Sequence, residues 1–325
     1  MMARTLFVAI LGCVLADTIS LAADNQNATF RVVIEPSGDS QSAPHGKGNI
    51  YAPCVLYENG LYRMWFGGQG KDGHDRIHLA ESHDCLHWKP RGVVLEDPTA
   101  NHVNDPSVVK HGSTYFMYYT RAATDIRDDI ALATSNDGVH WAIQGVVLSP
   151  SSAGNWDSLL VGRPSVLVEG DRFRMWYDGR KDLPVGAPAP TSFQAATSSR
   201  SVGYAESHDG YHWARPQSTP EFGENAGGVD VVRVGSRYVM LYESASGTQF
   251  ATSKDGLIWK ADGILAPLSG GDADRFGHVT PFLLLDHPAG SATLFIGAAR
   301  NSRWDENLIV RTELSQSQFA KLHGP

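Results

Sequence analysis

Four carboxylates in this 325-residue chain stand where a charge is hard to explain as surface decoration. Asp105 precedes an apolar run in NDPSVVK, and Asp230 opens another in GGVDVV. Asp178 and Glu243 each follow an aromatic residue, in WYDG and LYES. A charge at the edge of an apolar strand costs stability unless a partner or a function retains it. Carboxylate pairs flanking a bond are the equipment of glycoside hydrolysis: one acid protonates the leaving oxygen, and a base or nucleophile works from the other face. Arginines hold hydroxyls or carboxylates, and aromatic rings stack on sugar faces. Tyr51, Asn104, Arg163, Arg180, Arg300 and Trp304 are the matching binding candidates. His278, in GHVTP, could orient a carboxylate or hold a water.

The elements that must gather these residues are written as a repeat. AESHDCLHW (80–88), ATSNDGVHW (133–141), AESHDGYHW (205–213) and ATSKDGLIW (251–259) share one pattern. Each ends a longer unit: an apolar strand (Pro-containing in YAPCVLY, NDPSVVK and GRPSVLV), a Gly turn, a second aromatic-rich strand, a variable loop and a third strand. The tryptophan then opens a fourth. Four short antiparallel strands recurring with Trp88, Trp141, Trp213 and Trp259 describe blades of a β-propeller. A fifth, degenerate unit spans residues 278–314, and its outer strand is expected from the N-terminal segment TFRVVIE (29–35). The expected fold is therefore all-β, a single five-bladed propeller of four-stranded blades over residues 24–325.

Within the repeated turn, Asp can bond the backbone ahead of it and Gly supplies positive φ, while Trp packs between blades. Cys85 replaces that glycine in the first copy, which predicts a different turn there. The motif's histidines lie on separate blades and cannot converge on a metal. The chemistry belongs instead at one end of the axis, where inner strands begin and second-to-third-strand loops arrive. That geometry collects the residues named above with Asn49, Gln69, Asp72, Arg121, Asp125 and Asp305, overhung by the long loop 183–201. No cofactor is expected; a calcium or sodium ion in the channel has no signature here.

Net charge is −8, without the basic footprint of a nucleic-acid binder. Arg4, the apolar run 5–16 and the small residues of DTISLAAD read as a secretory signal over residues 1–23. No later run is long enough to span a membrane, so the expectation is a secreted or periplasmic protein acting on carbohydrate. Cys54 and Cys85 are expected to be free thiols.

NDPSVVKHGSTYFMYYT, the S-x-D-G-x-x-W turns and GHVTP together resemble the five-bladed propeller glycosidases, the superfamily of arabinanases, β-xylosidases, invertases and levansucrases. The resemblance covers the whole expected mature chain. It implies an active site with a base or nucleophile, an orienting Asp and an acid Glu, with His278 beneath the sugar. Here the first blade reads GNIYAP without an acid, the third has Arg163, and the fourth has Asp230. The expectation is a glycosidase with Asp105 as base or nucleophile, Glu243 as acid, and Asp230 or Asp178 as orienting carboxylate. The rival is a non-catalytic carbohydrate-binding propeller.

Overall fold

The computed structural model describes residues 30–36, 48–70, 72–124, 127–181, 200–223, 225–288, 290–304 and 306–323. The proposed signal segment, most of the 183–201 loop, and the side chains of Asp125 and Asp305 lie outside them. After β1 (Arg31–Ile34), the first blade is β2 (Ile50–Glu58), β3 (Leu61–Gln69), β4 (Asp75–Ser82) and β5 (Lys89–Leu95). The second is β6 (His102–His111), β7 (Thr114–Thr124), β8 (Arg127–Ser135) and β9 (Ala142–Leu148). The third holds β10 (Leu160–Glu169), β11 (Arg172–Arg180) and β12 (Ser201–Ser207), with two isolated bridges, Glu206 to Ala214 and Val202 to Phe222, where a fourth strand would run. The fourth is β13 (Asp230–Val234), β14 (Arg237–Tyr242), β15 (Gly247–Ser253) and β16 (Trp259–Pro267). The fifth is β17 (His278–His287), β18 (Gly290–Ala299) and β19 (Asn307–Glu313), and β1 pairs antiparallel with β19 to complete it. The N-terminal strand thus closes the ring with the last blade. A short helix, α1 (Gln316–His323), caps the core between blades four and five through Leu322.

The repeated turn does its expected work. In every copy one oxygen of the Asp accepts two backbone N–H groups ahead, as Asp137 does from Val139 and His140 at 2.8 Å each. Each Trp packs edge-on against an aromatic of the preceding blade: Trp141 on Trp65, Trp213 on Tyr118, Trp259 on Trp176 and Trp88 on Phe295. The carbonyl of the motif glycine accepts from that same neighbouring blade, at Gly138 from Trp65 (3.0 Å) and at Gly256 from Trp176 (2.7 Å). Cys85 does not change the turn. Its backbone adopts φ 64°, close to the 74–80° of the three glycines, and its thiol is buried and free like that of Cys54. The Asp84 bonds to Leu86 and His87 fix the conformation that the missing glycine would have favoured.

The inner strands share a second device. Ladder register slips between Tyr51 and Cys54, Asn104 and Ser107, Gly162 and Ser165, and Val279 and Phe282. A proline sits in each slip, because it has no N–H to give the ladder. The residue before it takes positive φ: Ala52 (53°), Asp105 (50°), Arg163 (47°) and Thr280 (41°). Such a bulge re-aims a side chain. Blade four has no proline, and Gly228 (56°) occupies this place.

Candidate active site at the propeller axis

The four bulges and the matching Gly228 turn give two rings around the axis. Ala52, Asp105, Arg163, Gly228 and Thr280 form the first, and Cys54, Ser107, Ser165, Asp230 and Phe282 lie two residues further in; both line one cavity of about 40 Å³. Asp230 therefore belongs to the inner ring, and Gly228 holds the place that matches Asp105. The inner ring is a lateral latch. Cys54 Sγ accepts from Val108 N–H (3.3 Å), Ser107 Oγ from Val166 (3.0 Å), Ser165 Oγ from Val231 (2.8 Å) and Asp230 Oδ2 from Leu283 (2.8 Å). Each bond joins one inner strand to the next, and Phe282 ends the series. Asp230 is explained by this structural duty. Among the described residues no group of three His, Cys, Asp or Glu side chains is placed to hold a metal.

The outer ring carries the charges. Asp105 Oδ2 lies 3.8 Å from Arg163 Nε, and Arg163 Nη1 donates to Asp178 Oδ2 at 2.8 Å. Arg200 Nη2 donates to the same oxygen at 2.9 Å, and its Nη1 donates to Glu243 Oε1. Glu243 Oε2 accepts from the Thr280 N–H at 3.2 Å. Asp105, Asp178 and Glu243 are thus threaded on two guanidinium groups, with Arg180 alongside. Asp178 comes from the end of β11, Glu243 follows β14, and Arg200 precedes β12. Arg200 also sits where Gly227 leaves space, since a Cβ there would lie 2.0 Å from its guanidinium.

Their ionisation divides the three acids. Burial pushes Asp105 up to about 7; Arg163 opposes the shift and Asp178 adds to it. Burial would also raise Asp178, but Arg163, Arg200 and Arg180 hold it down to about 2. Glu243 stays below its ordinary range because Arg200 and Arg163 outweigh its burial. Of the three, Asp105 alone is raised above its ordinary range, while the arginines hold Asp178 and Glu243 below theirs. The sequence-based expectation has Asp105 as base or nucleophile and Glu243 as acid.

The remaining candidates divide clearly. Tyr51 and Asn104 meet through a 2.8 Å bond from the Asn104 amide to the Tyr51 hydroxyl, beside Asp75 of the first blade. Arg180 is buried near Arg200 and Arg163, which with its own burial lower its pKa to about 9. His278 is fully buried between Thr248 (2.9 Å) and Asp274 (3.0 Å), in a structural relay. Arg300 and Trp304 are engaged with backbone carbonyls of Glu306 and Phe276, in the fifth-blade loop. Sequence reasoning passed over Arg200, Asp75 and Asp128. Asp128, at the start of β8, is raised to about 6 by burial despite Arg163.

Half of the orphaned buried polar atoms gather here. Of twelve side-chain N and O atoms without a partner among the described residues, six are Asp75 Oδ1, Asn104 Oδ1, Asp105 Oδ1, Asp178 Oδ1, Arg180 Nε and Arg200 Nε. Such atoms are rare in folded proteins and demand an explanation.

No protein-family model matches the chain. An uncharacterized protein of Mycobacterium tuberculosis is 33% identical over 141 residues, 39% of this chain and 45% of its own. A 1,2-beta-oligomannan phosphorylase of Thermoanaerobacter sp. (strain X514) is 26% identical over 171 residues, 45% of this chain and 57% of its own. The matches thus span about half the length of these relatives. Among solved structures, a glycoside hydrolase superposes with TM-score 0.69 at 20% identity, over 88% of this chain and 91% of that one. A family 117 glycoside hydrolase of Zobellia galactanivorans superposes with TM-score 0.66 at 14% identity, over 89% and 90%. The chain therefore has the five-bladed propeller fold that these glycoside hydrolases share.

Proposed function

We propose that this chain cleaves glycosidic bonds, with Asp105 as the proton donor. The observation that carries the reading is the clustering of orphaned donors and acceptors around Asp105, a carboxyl that burial raises above its ordinary range. A ligand rich in hydroxyls, each both donor and acceptor, is what such a mixed set would satisfy. In the step envisaged, Asp105 gives its proton to the leaving oxygen as the glycosidic C–O bond breaks. Water attacks the anomeric carbon and yields its proton to Glu243, which Arg200 keeps ionised. Asp178 holds Arg163 and Arg200 in place and orients the pair. The protein is read as a single propeller over residues 24–325, exported by the signal pattern in residues 1–23.

A second reading replaces water by inorganic phosphate. It is favoured by the buried, unpartnered Nε of Arg180 beside two further arginines, a place for an anion. The similarity to an oligomannan phosphorylase points the same way. A phosphate oxygen would attack as an anion and would need no base.

The test is a screen of the purified chain on aryl glycosides and oligosaccharides, with and without phosphate, beside Asp105→Asn. Turnover without phosphate, lost in the variant, supports hydrolysis. Turnover that requires phosphate supports the second reading. Saturable sugar binding without any turnover would leave a carbohydrate-binding propeller and end both.

A further inference from the structure

The wall between blades one and two holds two acceptors that nothing among the described residues satisfies. Asp75 opens β4 and reaches across the blade boundary, its Oδ2 lying 3.1 Å from His102 Nδ1 and 3.4 Å from Asn104 Nδ2. Asn104 spends the same amide nitrogen on the Tyr51 hydroxyl at 2.8 Å. Each side chain is thus anchored at one end only. Asp75 Oδ1 and Asn104 Oδ1, at the other ends, are both shielded and both without a partner among the described residues. Leaving one such acceptor unsatisfied costs about 1–3 kcal/mol, and here two stand side by side.

The two are also tied to the proposed proton donor. Asn104 is the residue immediately before Asp105, on the near side of the second-blade bulge. Burial, followed by the fields of Asp75 and Asp105, pushes the Tyr51 phenol well above its ordinary range, so both acids face that hydroxyl. Gly67 lets the wall pack closely on β3: a Cβ there would come within 3.3 Å of the Tyr51 ring and 3.4 Å of Asn104 Cβ. A hydroxyl that donates to each oxygen would satisfy the wall, and the side chains must turn to admit it because both oxygens are shielded.

We propose that Asp75 and Asn104 form a diol clamp, in which two neighbouring hydroxyls of one sugar ring donate to Asp75 Oδ1 and Asn104 Oδ1 while that ring faces Asp105. This rests on reading the axial site as a sugar site. It narrows the substrate to glycosides whose ring at this position carries two free adjacent hydroxyls, and it excludes rings branched or acylated there.

The experiment is a calorimetric titration of the full chain with methyl glycosides of mannose, glucose, galactose, xylose and arabinose. The tightest binder is then compared with its monodeoxy analogues, on wild type, Asp75→Leu, Asn104→Leu and Asp75→Asn. The clamp predicts that each leucine variant weakens binding about 10-fold or more, with Asp75→Asn falling between. It also predicts that one deoxy analogue binds wild type as weakly as the parent sugar binds Asp75→Leu, with no further loss when the two changes are combined. Losses that simply multiply would overturn it, and so would variants that bind like wild type or a panel in which no sugar binds. The deoxy comparison on wild type guards against a variant that fails to fold. Aryl glycosides of the same five sugars, assayed alongside, separate the two claims. A clamp signature without turnover keeps the clamp and removes cleavage; turnover indifferent to Asp75→Leu does the opposite.

Discussion

Replacing Asp230 by Asn should stabilise the folded chain above pH 7 and do little at pH 4. Asp230 is buried in the inner ring, where burial lifts its carboxyl from 3.8 to about 7 against the opposing bonds from Leu283 and Ser165. A carboxyl raised in the folded state is neutral in both states below its unfolded value, so it carries no penalty there. As pH rises, the unfolded chain releases the proton first, and stability falls until the folded carboxyl also ionises near 7. Three pKa units at about 1.4 kcal/mol each put the full penalty at about 4 kcal/mol. Asparagine cannot ionise, and it keeps an oxygen for the Leu283 N–H and gains an amide for Ser165. Urea unfolding of wild type and Asp230→Asn at pH 4 and pH 8 measures the difference. The variant's advantage should grow by up to about 4 kcal/mol between those values. An advantage equal at both would show that the Asp230 carboxyl is not buried as a neutral latch, and the inner ring would lose its explanation.

Arg200→Met should lower stability by about 3–5 kcal/mol in the same assay at pH 7, since it strands Glu243 as a buried anion and leaves Asp178 with Arg163 as its remaining ion-pair partner. Its deficit should shrink towards pH 4 as those acids take up protons. Gly210→Ala should destabilise by about 2 kcal/mol or more in thermal denaturation: φ is 78°, and the new Cβ would lie 2.9 Å from the Tyr118 hydroxyl and 3.1 Å from Phe116. If the cleavage reading holds, Asp105→Asn should lower kcat about 10²- to 10⁴-fold while sugar binding persists.

The repeat made the fold legible, because each blade restates its strands and closes with a turn whose Asp, Gly and Trp have separate physical tasks. The N-terminal strand was legible for the same reason, since blade five lacked one. The site was legible only in part. Proline marks the bulge in four blades, so Asp105 and Arg163 could be aligned with it. Blade four has Val229 instead, and without the marker Asp230 looked equivalent to Asp105 when it stands two residues deeper. Arg200 ends a Pro-, Ala- and Ser-rich stretch whose composition gives no hint of a buried guanidinium bridging two acids. Asp75 heads DRIHLAES as an ordinary strand-start charge, and only its reach to His102 across the blade boundary reveals it. The division of proton states among Asp105, Asp178 and Glu243 depends on which arginine each one faces, and spacing along the chain does not encode that.

The most direct test of the central claim is the pH dependence of kcat/KM on the best-cleaved glycoside, for wild type and Asp105→Asn. If Asp105 donates the proton, wild-type activity falls as pH rises through about 7 and the variant's residual activity lacks that limb. An alkaline limb near 7 that survives in Asp105→Asn, or full activity in that variant, would contradict the account.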